Sequence, residues 1–119
     1  MPRNFDFKDF LEVVARYGRL VLPIREVAAA SDKVQVGDCI LDVTYTATGT
    51  VALELPSAGQ VDGWFLLIKD AASSNGAETY NITLSTEGSE TIDGAATFVM
   101  NVNGEAICLY SRGGNWRVW

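Results

Sequence analysis

Three kinds of side chain in this sequence could do chemistry: fifteen carboxylates, two thiols and three indoles. A glycosidase needs two carboxylates facing each other across a cleft. Here the acids are spread from Asp6 to Glu105 with no spacing that singles out one pair, and turn positions and solvated strand edges account for them. Glu87, Glu90 and Asp93 lie close enough in sequence to suggest calcium, but the regular oxygen spacing of an EF-hand loop is missing, and Asp93-Gly94 reads as a turn. Cys39 and Cys108 form no CxxC pattern, and two thiols with no histidine cannot complete a tetrahedral zinc site. Cys39 falls in phase with Leu41, Val43 and Tyr45, so it reads as a small core residue; both thiols are expected to be free and structural. The indoles have two readings. Trp64, Trp116 and Trp119 stack on sugar rings if one face exposes them, or Trp64 is core and the C-terminal pair covers a sheet face or a subunit contact.

What is missing narrows the chemistry further. The chain has no histidine, which excludes Ser-His and Cys-His nucleophile pairs and a histidine pH switch. No GxxxxGK[ST] loop is present, and Arg112-Gly113-Gly114-Asn115 joins two strands rather than opening a helix. Asn81-Ile82-Thr83 matches the glycosylation triplet but falls within a strand pattern. The expectation is a protein with no enzymatic activity, no cofactor and no metal. Nine basic against fifteen acidic residues give a net charge of −6, which argues against nucleic acid, whose phosphates are held mainly by Lys and Arg. No run approaches the roughly 18 apolar residues of a membrane helix. Residues 1–6 lack the apolar stretch of a secretory signal, so secretion by that route is not expected.

The elements that must position these residues follow from two periods. Phe7, Phe10, Leu11 and Val14 recur at i, i+3, i+4 and i+7, Tyr17 extends the stripe, and Lys8, Asp9, Glu12 and Arg16 fill the other face. With Asp6 as N-cap and Gly18 as C-cap, residues 1–18 hold one short amphipathic α-helix. After Gly18 the period becomes two. Leu41, Val43 and Tyr45 alternate with polar residues, as do Val51, Leu53 and Leu55, and Tyr80, Ile82 and Leu84. Trp64 to Lys69 is apolar on both faces until its end, which predicts a central strand covered on both sides. Thr97 to Val102 and Glu105 to Ser111 flank Asn103-Gly104, a strong hairpin signal, and Trp116 to Trp119 forms a last strand. With 48% hydrophobic and 20% charged residues over 119 positions, this describes one all-β domain over 19–119. An antiparallel β-sandwich or barrel-like module is expected, with the helix before it and no repeat strict enough to indicate a solenoid.

Residues 55–119 also resemble a module of bacteriophage virion appendages, found at the ends of tail fibres and tailspikes and in head-fibre or capsid-decoration proteins. The likeness rests on Leu55-Pro56-Ser57-Ala58-Gly59, Ile68-Lys69-Asp70, Asn81-Ile82-Thr83-Leu84, Gly88-Ser89-Glu90-Thr91-Ile92-Asp93-Gly94-Ala95 and Leu109-Tyr110-Ser111 with Gly114-Asn115-Trp116, in that order. It implies a compact β module, a homotrimer, and a structural or host-attachment role without catalytic residues. Because the module fills most of this chain, it implies a small capsid decoration (cement) or head-fibre protein of the virion, assembled in the host cytoplasm. The alternative is a tail-fibre, tail-adaptor or receptor-binding module facing host glycans. The partners implied are further copies of the chain, a major capsid or tail protein, and a surface glycan in the alternative.

On this reading the stripe of Phe5, Phe7, Phe10, Leu11, Val14 and Tyr17 either caps the β core or docks on the particle and its neighbours. If it docks, Phe10→Asp and Leu11→Asp variants fold normally but are missing from purified particles, as a gel of those particles would show. Normal incorporation of both removes the helix from the attachment.

Overall fold

In a computed structural model the described residues are 16, 18, 21–47, 49–60 and 62–119. The expected helix, and with it Phe5, Phe7, Phe10, Leu11, Val14 and Tyr17, lies outside them apart from Arg16 and Gly18.

Nine strands account for the described fold: β1 (Ile24–Val27), β2 (Ser31–Lys33), β3 (Ile40–Val43), β4 (Val51–Glu54), β5 (Phe65–Asp70), β6 (Ile82–Ser85), β7 (Thr97–Met100), β8 (Ala106–Arg112) and β9 (Asn115–Val118). They form a five-stranded sheet in the order β1-β3-β5-β8-β9 and a four-stranded sheet in the order β2-β4-β6-β7. The chain changes sheet after every strand from β1 to β6. Each such pair of strands is one turn of a flattened coil, and three turns stack through the parallel pairings β1–β3, β3–β5, β2–β4 and β4–β6. The remaining pairings, β5–β8, β6–β7 and β8–β9, are antiparallel.

All-β architecture is therefore present, but the expected antiparallel arrangement is corrected to a mixed one. Period-two alternation reports which face of a strand is buried and nothing about its neighbour's direction. Parallel pairing normally calls for a helical crossover. Here the crossover is a strand of the opposite sheet, so no helical signal announces it.

In-register stacking explains the core. Parallel partners point the same way, so Leu41, Ile68 and Ile107 form one inward row across the five-stranded sheet, while Leu53, Leu84 and Phe98 form the facing row. Val51, Ile82 and Met100 make a second row, and all the residues of these rows except Phe98 are buried. β5 is central, as expected, but it is covered on one side only: Leu66, Ile68 and Asp70 are buried, and Phe65, Leu67 and Lys69 are partly exposed.

Two turns show how backbone sign decides pairing. Gly113 and Gly114 both have positive φ (61° and 82°), the requirement of a type I′ hairpin, and they join β8 to β9 as read from the sequence. At Asn103-Gly104 only the glycine is positive (φ 75°), with Glu105 N–H bonded to the Val102 carbonyl at 3.0 Å. One negative then one positive φ gives a type II turn, whose twist splays the flanking strands. β7 and β8 accordingly part into different sheets, and the expected hairpin between them does not form.

Removing an inward rung should cost far more than removing an outward one. Leu53→Ala and Ile68→Ala are each expected to lose about 2–5 kcal/mol in urea unfolding, and Thr83→Ala within about 0.5 kcal/mol.

Candidate functional site

Three carboxylates are drawn into the structure, and each is consumed by the chain's own donors. Asp70, at the end of β5, is 4% exposed and accepts the N–H groups of Ala77 (2.8 Å), Gly104 (3.0 Å) and Ala72 (3.3 Å). Burial pushes its carboxyl up, but the N–H groups of Ala77, Gly104 and Ala72 outweigh burial and hold it below the ordinary range. Neighbouring Lys69 donates from Nζ to the Gly104 carbonyl, so the pair pins the 102–105 turn. A Cβ at Gly76 would stand 2.2 Å from Asp70 Oδ2, which is why glycine sits there.

Glu90 accepts Ser57 Oγ–H at 2.7 Å and Ala58 N–H at 2.9 Å, where a short 3₁₀ turn (Ala58–Gln60) begins. Asp38 is held by Arg25, whose Nη2 donates to it at 2.9 Å, and by Gln35 N–H at 2.8 Å. Burial raises the Asp38 carboxyl, and the Arg25 hydrogen bond with the Gln35 amide reverses this to a net lowering. Arg25 Nη1 also donates to Asp32 at 2.7 Å, and hydrogen bonds to Asp38 and then Asp32 keep the guanidinium protonated more firmly than usual.

Among the described residues no group of three or more Cys, Asp or Glu is placed to hold a metal. Cys39 and Cys108 are both free. Cys39 lies one position before β3 on its inward phase, whereas Cys108 points outward from β8, two strands away. At a strand spacing of ~4.8 Å that separation already exceeds the Cα span of a disulfide. Burial pushes the Cys39 thiol up.

The three tryptophans do not form one platform. Trp116 is fully buried, its Nε1–H donating to the Pro56 carbonyl at 3.0 Å, and Trp64 packs against it with ring centroids 5.8 Å apart. Only Trp119 is open, at 84% exposure. Of the sugar-stacking trio, Trp116 is core, Trp64 is partly buried against it, and Trp119 is the one that stands open.

Trp119 belongs to a surface that sequence reading did not assemble. Outward positions of the five-stranded sheet place Ile24, Ile40, Leu67 and Cys108 in one row across β1, β3, β5 and β8. Trp119 extends it, its N–H bonded to the Cys108 carbonyl at 2.8 Å. Beside this row run Phe65, Tyr110 and Arg117. Gly63, Phe65, Tyr110 and Trp119 line a shallow, mainly apolar recess of about 430 Å³. The four-stranded sheet is the opposite case. Its outward rows read Ser31, Ala52, Thr83, Val99 and Lys33, Glu54, Ser85, Thr97, a solvated face with Lys33 near Glu54 and Glu87. One outer face carries an apolar row flanked by the charged positions Glu26, Asp42, Lys69 and Arg117, and the other is mainly polar. The one advance signal was that Trp64 to Lys69 is apolar in both phases.

Asp70 makes stability depend on pH in a definite direction. Its folded-state affinity for protons is lowered, so its contribution is complete above the ordinary carboxylate pKa of about 3.9 and is lost as pH falls below it. Asp70→Asn should therefore be less stable than the wild type at pH 7, with the gap closing below about pH 4 in urea titrations. A gap that stays constant with pH would assign the loss to packing alone.

No protein-family model matches the chain, and no curated protein matches it in sequence.

Proposed function

We propose that the chain is a non-enzymatic structural protein of a bacteriophage virion. It assembles with copies of itself as a homotrimer and serves as a small capsid decoration, cement or head-fibre protein held by a major capsid or tail protein. The observation that carries this reading is the apolar row across the outer face of the five-stranded sheet, from Ile24 (64% exposed) to Trp119 (84% exposed). An exposed apolar row of that length, opposite a mainly polar face on the same small domain, supports a surface that is covered in the assembled state. The spent carboxylates Asp38, Asp70 and Glu90 support a role without catalysis, since each is occupied by the fold. The resemblance of residues 55–119 to phage appendage modules supplies the setting.

A second reading, a receptor-binding module for host glycans, rests on the recess of Gly63, Phe65, Tyr110 and Trp119. Both readings need Trp119, in opposite states. Subunit assembly buries its indole, whereas glycan binding needs it open in the assembled protein.

Light scattering on the purified chain decides the first point: the expected particle is three times 12.9 kDa. Ile24→Asp with Leu67→Asp should give a folded monomer. A wild-type monomer whose tryptophan emission shifts on a glycan panel would replace assembly with the binding module.

A further inference from the structure

On the outer face of the five-stranded sheet the charges are not scattered. Glu26 and Asp42 are direct register partners on β1 and β3, and both point outward. Like charges at paired positions repel and destabilise an isolated sheet. Lys69 follows Asp42 in the same row, its Nζ donating to the Gly104 carbonyl, and offsets one of the two negative charges. Arg117, on β9, stands at the diagonally opposite corner and Arg112 ends β8 beside it; neither makes an ion pair with a described residue. Asp62 and Asp93 lie in loops at that rim, accepting the N–H groups of Gly113 (2.9 Å) and Val118 (3.2 Å). β1 and β9 are four strand spacings apart, about 19 Å, and Phe65 to Lys69 spans about 13 Å along the strands. The apolar row from Ile24 to Trp119 runs between the two charged corners.

We infer that this face joins copies of the chain head to tail, the Glu26/Asp42 half of one protomer against the Arg117 half of the next, around an axis lined by the apolar row. The inference rests on the self-assembly proposed above and specifies its contacts. A second copy is the occupant because both complementary halves are present on one face. The β1 half presents two paired carboxylates against the one ammonium of Lys69, and the β9 half presents the Arg117 guanidinium, which makes no ion pair with a described residue. A closed ring satisfies every half, as a two-fold pair would, whereas open stacking leaves halves unmatched at its ends; the trimer proposed above selects the ring.

Charge exchange tests this. Arg117→Glu alone and Glu26→Arg/Asp42→Arg together should each weaken association by about tenfold or more, because like charges are then brought together. The triple variant carrying all three changes should restore wild-type association, read by sedimentation equilibrium with circular dichroism confirming the fold. If the wild type assembles but the triple variant stays as weak as its parents, this face pairing is wrong while self-assembly stands. A monomeric wild type instead ends the assembly reading itself. Mixing the two parent variants separates geometries: a three-membered ring always keeps one like-charged junction and recovers only in part. Full recovery on mixing would replace the ring with a two-fold face-to-face pair.

Discussion

A stack of parallel turns has two ends, and each end opens the apolar interior to water. The rest of this structure depends on closing them. At the β1–β2 end the inward rows change chemistry. Where the next turns carry Leu41 with Ile68 and Leu53 with Leu84, the first turn carries Arg25 and Asp32, paired at 2.7 Å. Asp38 completes the cluster with the same guanidinium. A polar terminal turn is what a solenoid needs in order to stay soluble, and an Arg–Asp pair spans both sheets where two apolar side chains would sit half wet.

The other end is closed by a connection rather than a strand. Residues between β6 and β7, two neighbours in the four-stranded sheet, cross to the far edge of the five-stranded one. There Trp116 N–H bonds the Thr91 carbonyl (2.8 Å), Asp93 N–H bonds the Trp116 carbonyl (3.0 Å), and Thr91 N–H bonds Asn115 Oδ1 (2.9 Å). These bonds cover the β9 edge, and Glu90 ties the same segment to Ser57 and Ala58. The buried Trp116 indole fills the space under this bridge, with its one polar atom satisfied by Pro56. Among the described residues this edge is therefore paired and this end filled by the chain itself.

Much of this was legible in the sequence, and the gaps have physical reasons. Strands β3, β4 and β6 follow from period-two patterns, β5 from a run apolar on both faces and β7 to β9 from runs flanking turns, and Gly113-Gly114 announced its hairpin because two glycines tolerate the two positive φ angles that turn demands. β1 and β2 were missed because Ile24-Arg25-Glu26-Val27 and Ser31-Asp32-Lys33 place ions inside, so the hydrophobic alternation that marks a strand is absent there. The parallel stacking was illegible because its crossovers are themselves strands. Asn103-Gly104 misled for a related reason: the dipeptide permits a type I′ turn, while the Asp70 carboxylate and the Lys69 ammonium hold Gly104 from both its N–H and its carbonyl. Beyond the apolar run of Trp64 to Lys69, the outer apolar row could not be read, since it needs the register of five strands at once.

That last point bears on what sequence likeness means for this fold. Leu55-Pro56-Ser57-Ala58, Glu90-Thr91-Ile92-Asp93 and Asn115-Trp116, remote in the chain, meet in one hydrogen-bonded closure. Asp70, from a further motif, pins two loops through backbone donors. Residues with such duties are constrained by backbone geometry: a Glu90 one methylene shorter would not reach both Ser57 Oγ and Ala58 N–H. They report how the coil is closed and are silent on what it touches. Outward positions such as Ile24, Leu67, Tyr110 and Arg117 carry no such constraint from within. Their apolar and charged arrangement is what the proposed pairing with a neighbouring copy of the same face would explain.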